Sequence, residues 1–96
     1  MIAKNQKFIG LRISLDGGSF HDCTFDECHL VYSGFLPVTL DGCVYRNCEW
    51  EFAGPALNTL NFMQGLYAVG ATDLMENTFE QIRGKTPFGP VLSSAL

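Results

Sequence analysis

His21, Cys23, Cys28 and His29 lie close together in the chain. Imidazole nitrogens and thiolates are the usual ligands of structural zinc, and a cysteine beside a histidine can act as a nucleophile and base pair. The spacing lacks the C-x2-C step that marks most structural zinc sites. A second group is acidic: Asp22, Asp26 and Glu27, followed later by Glu49 and Glu51. The chain carries no phosphate loop, nucleophile elbow, HExxH or dinucleotide fingerprint. Whether any of these residues converge depends on the elements that hold them.

Those elements follow a five-residue beat over residues 8–52. Large apolar residues fall at Leu15, Phe20, Phe25, Leu30, Phe35, Leu40, Tyr45 and Trp50. Two positions before each stands a second inward candidate: Ile13, Gly18, Cys23, Cys28, Ser33, Val38, Cys43 and Cys48. A helix needs a period near 3.6 and a strand a period of 2. A period of five fits a chain that runs briefly extended, turns a corner and runs extended again. The two inward residues of each unit then have the same-face spacing of a strand. Asp26 with Glu27, Asp41 with Gly42, and Arg46 with Asn47 become corners. All four cysteines face inward and the histidines outward, so neither a metal set nor a Cys–His pair converges. No metal, cofactor or catalytic residue is predicted. Four cysteines would allow two disulfides, but inward thiols acting as small hydrophobes predict free cysteines.

The units Cys23-Thr24-Phe25-Asp26-Glu27, Cys28-His29-Leu30, Cys43-Val44-Tyr45-Arg46-Asn47 and Cys48-Glu49-Trp50 make this stretch resemble the pentapeptide-repeat family. The small inward residue is Cys here, where the family usually has Ala. The resemblance implies a right-handed, four-sided β-helix with four units per coil. Some larger family members resemble duplex DNA in shape and charge and inhibit DNA-binding enzymes. By that analogy Asp22, Asp26 and Glu27 would mimic phosphates. Their pairing with Arg46 and the histidines, and the short chain, make a solvated polar surface the preferred reading.

Four units per coil also set a register. Cys23 lies beneath Cys43 and Cys28 beneath Cys48; Phe20, Phe25 and Leu30 lie beneath Leu40, Tyr45 and Trp50. Outward residues match as well: His21 with Asp41, Asp26 with Arg46, His29 with Glu49. Opposite charges adjacent on a ladder contribute roughly 0.2–1 kcal/mol each. This register predicts about two coils, 13–32 and 33–52. Phe8 begins a first strand. Asp16 to Gly18 form a tight turn in which Gly18 leaves a gap or a bend. Pro37 lies at a corner.

Pro55 is a helix-start signal. A stripe of Leu57, Leu60, Met63 (or Phe62), Leu66 and Tyr67 predicts a helix over 55–69, stopped by Gly70. A second helix fits 72–83, capped by Thr72 or Asp73, with Leu74, Met75, Thr78, Phe79 and Ile82 on one face and Gly84 at its end. Residues 85–96 read as an extended tail with two prolines. The expected organisation is one domain over 1–96: a β-helix at 8–54, a helical cap at 55–84 and the tail. The fold class is mainly β with α.

The 96 residues carry a net charge of −4, which argues against broad nucleic-acid contact. The start, Met1 to Lys7, lacks the apolar run of a signal peptide, and no stretch approaches the ~20 apolar residues of a membrane span. The reading is cytoplasmic. The function expected is a non-enzymatic protein-interaction module whose partners are a second copy of itself and another protein. Tyr32 and Phe52, off the inward phase, either contact helix 55–69, the preferred reading, or form an exposed apolar patch; with Asp22, Asp26 and Glu27 they are the candidate surface. The alternatives are a small-molecule-binding protein with a pocket between the coils and helix 55–69, or a small inhibitor of the DNA-mimic or phage type.

Overall fold

The computed structural model describes residues 1–90. Among them are nine short strands: β1 (Ile2–Lys4), β2 (Lys7–Ile9), β3 (Arg12–Ser14), β4 (Ser19–His21), β5 (Thr24–Asp26), β6 (His29–Tyr32), β7 (Thr39–Asp41), β8 (Val44–Arg46) and β9 (Glu49–Phe52). Two helices follow, α1 (Gly54–Ala68) and α2 (Thr72–Ile82). The fold is thus mainly β with α. The chain divides into two compact units, the first Met1–Asn58 and the second from Thr59 onward.

The strands form three sheets, ordered β1-β4-β7, β2-β5-β8 and β3-β6-β9. Every pairing is parallel. The chain therefore visits the three sheets in turn, three times over, and each visit stacks a tier on the one before. Strands of three or four residues follow from the beat, since a corner interrupts the chain before a longer strand can form. Asn5, Asp22, Glu27 and Asn47 turn corners with φ of 53–54°, and Gly10 and Gly42 do so with φ of 65° and 67°. These are the left-handed values that a sharp corner requires and that L-residues other than Asn, Asp and Gly adopt at a cost.

The predicted register holds between the second and third tiers. Phe20 pairs with Leu40, Phe25 with Tyr45 and Leu30 with Trp50; outward, His21 pairs with Asp41, Asp26 with Arg46 and His29 with Glu49. The expected coil count is corrected: β1, β2 and β3 add a full tier beneath, with Ala3, Phe8 and Ile13 under Phe20, Phe25 and Leu30. The beat slips between tiers, because residues 15–18 form the connecting turn. Counting back from Phe20 lands on Leu15. That residue is buried, but it belongs to the turn, where its N–H donates to the Val31 carbonyl at 2.8 Å. Ile13 is the true centre of the strand below Leu30.

Phe20, Phe25, Leu15, Leu30, Cys23 and Cys28 form the fully buried centre of the first unit. Phe8 and Phe25 stack at 5.3 Å, and Phe25 and Tyr45 at 5.5 Å, so a column of rings runs through all three tiers. Phe20 packs edge-on to Phe25 at 5.4 Å. Of the two expectations for Gly18, the bend holds, its N–H donating to the Leu15 carbonyl at 2.9 Å, and the gap does not, since a Cβ there would lie 2.5 Å from the Phe20 ring. Phe35, expected inward, is 72% exposed. Its segment leaves the beat because the Asp16 carboxylate holds the N–H groups of Ser33 and Phe35.

All four cysteines are free thiols. Each Sγ donates to a carbonyl of the tier below: Cys23 to Ala3, Cys28 to Phe8, Cys43 to Phe20 and Cys48 to Phe25, at 3.3–3.5 Å. An alanine would fill the same place without that weak hydrogen bond. The thiol is a small apolar group that also bridges tiers.

No residue of α1 is buried. Its apolar residues lie all round the helix: Leu57, Leu60, Phe62 and Tyr67 are all exposed. In α2, Met75 is buried while Phe79 and Ile82 are exposed. The N-cap of α2 is Ala71, without a side-chain hydrogen bond, in place of the expected Thr72 or Asp73. The Asp73 carboxylate instead accepts from the Leu74 N–H. Gly70 and Gly84 end the two helices with φ of 99° and 78°, as the sequence predicts. Residues 85–90 form no helix or strand. The rest of the predicted tail, 91–96, lies outside the described residues.

Candidate functional site

The strands separate the chemistry-bearing residues by face. Cys23 and Cys28 point into the core, while His21 and His29 stand on the outer faces of β4 and β6, partly exposed. Among the described residues no group of three His, Cys, Asp or Glu side chains could hold a metal ion.

The histidines instead occupy the middle of two outward columns. One runs Lys4, His21, Asp41 along β1, β4 and β7; the other runs Arg12, His29, Glu49 along β3, β6 and β9. Each begins with a fixed positive charge and ends with a carboxylate. His21 Nδ1 lies 3.5 Å from Asp41, and its Nε2 lies 2.8 Å from the Ser19 hydroxyl. His29 meets two carboxylates, Glu49 at 3.2 Å and Glu51 at 2.7 Å. The hydrogen bond from His29, aided by the charge of Arg12 at 3.7 Å, holds the Glu51 carboxyl below the usual range. These are solvated ladder pairs, of the kind that contribute little individually.

The predicted surface residues are not gathered into one patch. Asp22 and Glu27 sit at two different corners, both with positive φ. Asp26 lies on β5 beside Arg46 on β8. Tyr32 and Phe52 are register partners at the ends of β6 and β9. Tyr32 packs partly against the core, whereas Phe52 is exposed.

The feature that sequence reasoning missed is the exposure of the last tier. Tyr45 and Trp50 were expected in the core, yet Trp50 is 53% exposed and Tyr45 is 37% exposed. Both point inward as the beat requires, but no further strand lies over β7, β8 or β9 among the described residues. Their rings are 5.1 Å apart; Phe52 at the end of β9 and Val44 on the outer face of β8 are exposed as well. Partial burial, with the neighbouring Cys43 adding to it, pushes the Tyr45 phenol up. Among the described residues, each last-tier strand is also an edge strand of its sheet. Parallel strand edges over an exposed aromatic end make a surface suited to backbone pairing with another chain. The signal available in the sequence was the loss of the beat after Phe52, which marks where the tiers end.

No family model matches the chain, and no curated protein or solved structure matches it. No helix among the described residues is long and apolar enough to cross a membrane.

Proposed function

We propose that this chain is a non-enzymatic, cytoplasmic protein-interaction module built as a short right-handed, four-sided β-helix of the pentapeptide-repeat kind. The handedness rests on a general rule: connections between parallel strands of one sheet are right-handed in roughly 98% of cases. A fourth side is supported by backbone bonds between the turn at 15–18 and the segment before β7. The Gly17 N–H donates to the Pro37 carbonyl at 3.0 Å, and the Thr39 N–H to the Gly18 carbonyl at 2.9 Å.

The observation that carries the interaction reading is the open last tier, where among the described residues no strand pairs with the outer edges of β7, β8 and β9, beside the exposed rings of Tyr45 and Trp50. Large exposed apolar groups in a contiguous patch mark protein contacts. The test is native mass spectrometry of the protein purified gently from its own cells. The expected result is a species heavier than one 10.6 kDa chain by at least one polypeptide, and its loss in a Trp50→Glu variant that keeps its β-type circular dichroism. A bare chain, unchanged by the substitution, would overturn the reading.

A further inference from the structure

The two ends of the tier stack are complementary to each other. The first tier carries Lys4, Lys7 and Arg12 on its outer faces, all exposed. The last tier carries Asp41, Glu49 and Glu51, of which Asp41 and Glu49 are about four-fifths exposed. The polarity is built into two outward columns, basic at the first tier and acidic at the last, with a histidine between; the column Ile9, Asp26, Arg46 ends instead in a base, which would meet the uncharged Ile9 of a second copy.

The two ends also match in backbone spacing. Strands β1, β2 and β3 start at Ile2, Lys7 and Arg12, and β7, β8 and β9 start at Thr39, Val44 and Glu49. One offset superimposes all three pairs. A second copy laid on the last tier in parallel register therefore continues all three sheets at once. It places Lys4 beside Asp41, Arg12 beside Glu49 and Ser14 beside Glu51. On the inner face it places Ala3 over Leu40, Phe8 over Tyr45 and Ile13 over Trp50. The ring column Phe8, Phe25, Tyr45 would run on into the Phe8 of the next copy. Arg12 already leans toward Glu51, but its side chain is 64% exposed and a guanidinium has five donors to share.

We infer that the chain self-associates head to tail, the first-tier edge of one copy pairing with the last-tier edge of the next. This rests on the interaction reading above and names the partner of that surface. The charges select this arrangement over its two-fold alternatives. Last tier against last tier sets Asp41 and Glu49 against acidic neighbours; first tier against first tier gathers Lys4, Lys7 and Arg12. Like charges in contact are disfavoured on either ladder. A head-to-tail contact does not close on itself, so it yields a series of oligomers and not a single dimer.

Analytical ultracentrifugation of the full chain, from micromolar to hundreds of micromolar and in low and high salt, tests the inference. Trp50 is the only tryptophan, so its emission reports burial of the last tier. The expected result is a concentration-dependent series of species, a blue shift of Trp50 emission along it, and weakening by salt. Lys4→Glu with Arg12→Glu should return the mass to that of one chain. Asp41→Lys with Glu49→Lys should do the same, and an equimolar mixture of the two double variants should associate again. Circular dichroism checks that each double variant is folded; Trp50→Glu in an otherwise native chain is the second probe and should give monomers. A wild-type chain that stays monomeric at all concentrations overturns self-association. It leaves the interaction reading intact if a different polypeptide accompanies the protein from its cells. A dimer that Lys4→Glu with Arg12→Glu does not weaken overturns the head-to-tail arrangement.

Discussion

The Asp16 carboxylate accepts a 2.7 Å hydrogen bond from the backbone N–H of Ser33. Its second oxygen accepts from the Phe35 N–H at 2.8 Å. One side chain in the first inter-tier turn thus fastens the second inter-tier segment. The Ser33 hydrogen bond, with further backbone donors from residues 34–36, holds the carboxyl below its ordinary range. A carboxylate favoured in the folded state contributes stability that is complete above the unfolded-state value of ~3.9. That contribution is lost as pH falls through the lower folded-state value. Asp16→Asn should therefore lower the urea midpoint at neutral pH and flatten the acid limb of stability below about pH 4. Hydrogen exchange should quicken at the Ser33 and Phe35 amides. An acid limb identical to the wild type would show that Asp16 does not hold the segment.

Sequence periodicity reports where a side chain points, and it did so well here. The columns Phe25 with Tyr45 and His29 with Glu49 follow from the beat once a coil is taken as four units, as the family resemblance implied. Periodicity does not report whether anything lies beyond. Trp50 points inward like Leu30 beneath it, yet one is half exposed and the other fully buried, because the tiers end between them and solvent. The extra first tier was hidden by a phase slip, since Leu15 sits on the beat by position while Ile13 holds the strand centre. The Asp16 clasp was illegible for another reason. A carboxylate in a turn can accept from many N–H groups, and only the folded backbone decides which are near. The exposed αL corner at Glu27 was read as a corner but not as a strained one, because nothing in the local sequence demands a positive φ there.

Phe25 lies between Phe8 and Tyr45 in the ring column and has no exposed surface. Its truncation removes a buried ring and leaves a cavity that the stacked neighbours cannot close. Phe25→Ala should cost about 3–5 kcal/mol, most of the stability of a domain this size. Thr24→Ala, on the outward face of the same strand, should be nearly neutral. Tyr45→Ala should fall between them, since one face of that ring is open to solvent. Chemical denaturation of the three variants checks the order, and equal effects at Phe25 and Thr24 would sink the inward and outward assignment.

Gly18 is buried, and a Cβ there would meet the Phe20 ring at 2.5 Å and the Leu15 carbonyl at 3.0 Å. Phe20 is fully buried and cannot swing aside. Gly18→Ala should destabilise by roughly 1–3 kcal/mol through overpacking. In a Phe20→Leu background the ring is gone, so the same Gly18→Ala change should cost less, with a coupling of at least about 0.5 kcal/mol between the two sites. Additive effects would mean that the glycine is needed for some reason other than room for Phe20.

Glu27 is exposed and adopts φ of 53°. Gly10 and Asn47 hold the same corner in the tiers to either side, with φ of 65° and 53°, and Asn5 and Gly42 hold the preceding corner of their tiers, with φ of 53° and 67°. A left-handed backbone costs an ordinary L-residue about 1–2 kcal/mol, and Asn bears it more easily because its short side chain bonds locally. Glu27→Asn should therefore stabilise the fold by about 0.5–1 kcal/mol, raising Tm by a few degrees. Gly42→Ala is the opposite case. It forces a side chain into φ of 67°, and its Cβ would collide with the Asp22 carboxylate. That variant should unfold well below the wild type. Thermal melts followed by circular dichroism measure both, and a Glu27→Asn protein no more stable than its parent would show that this corner stores no backbone strain.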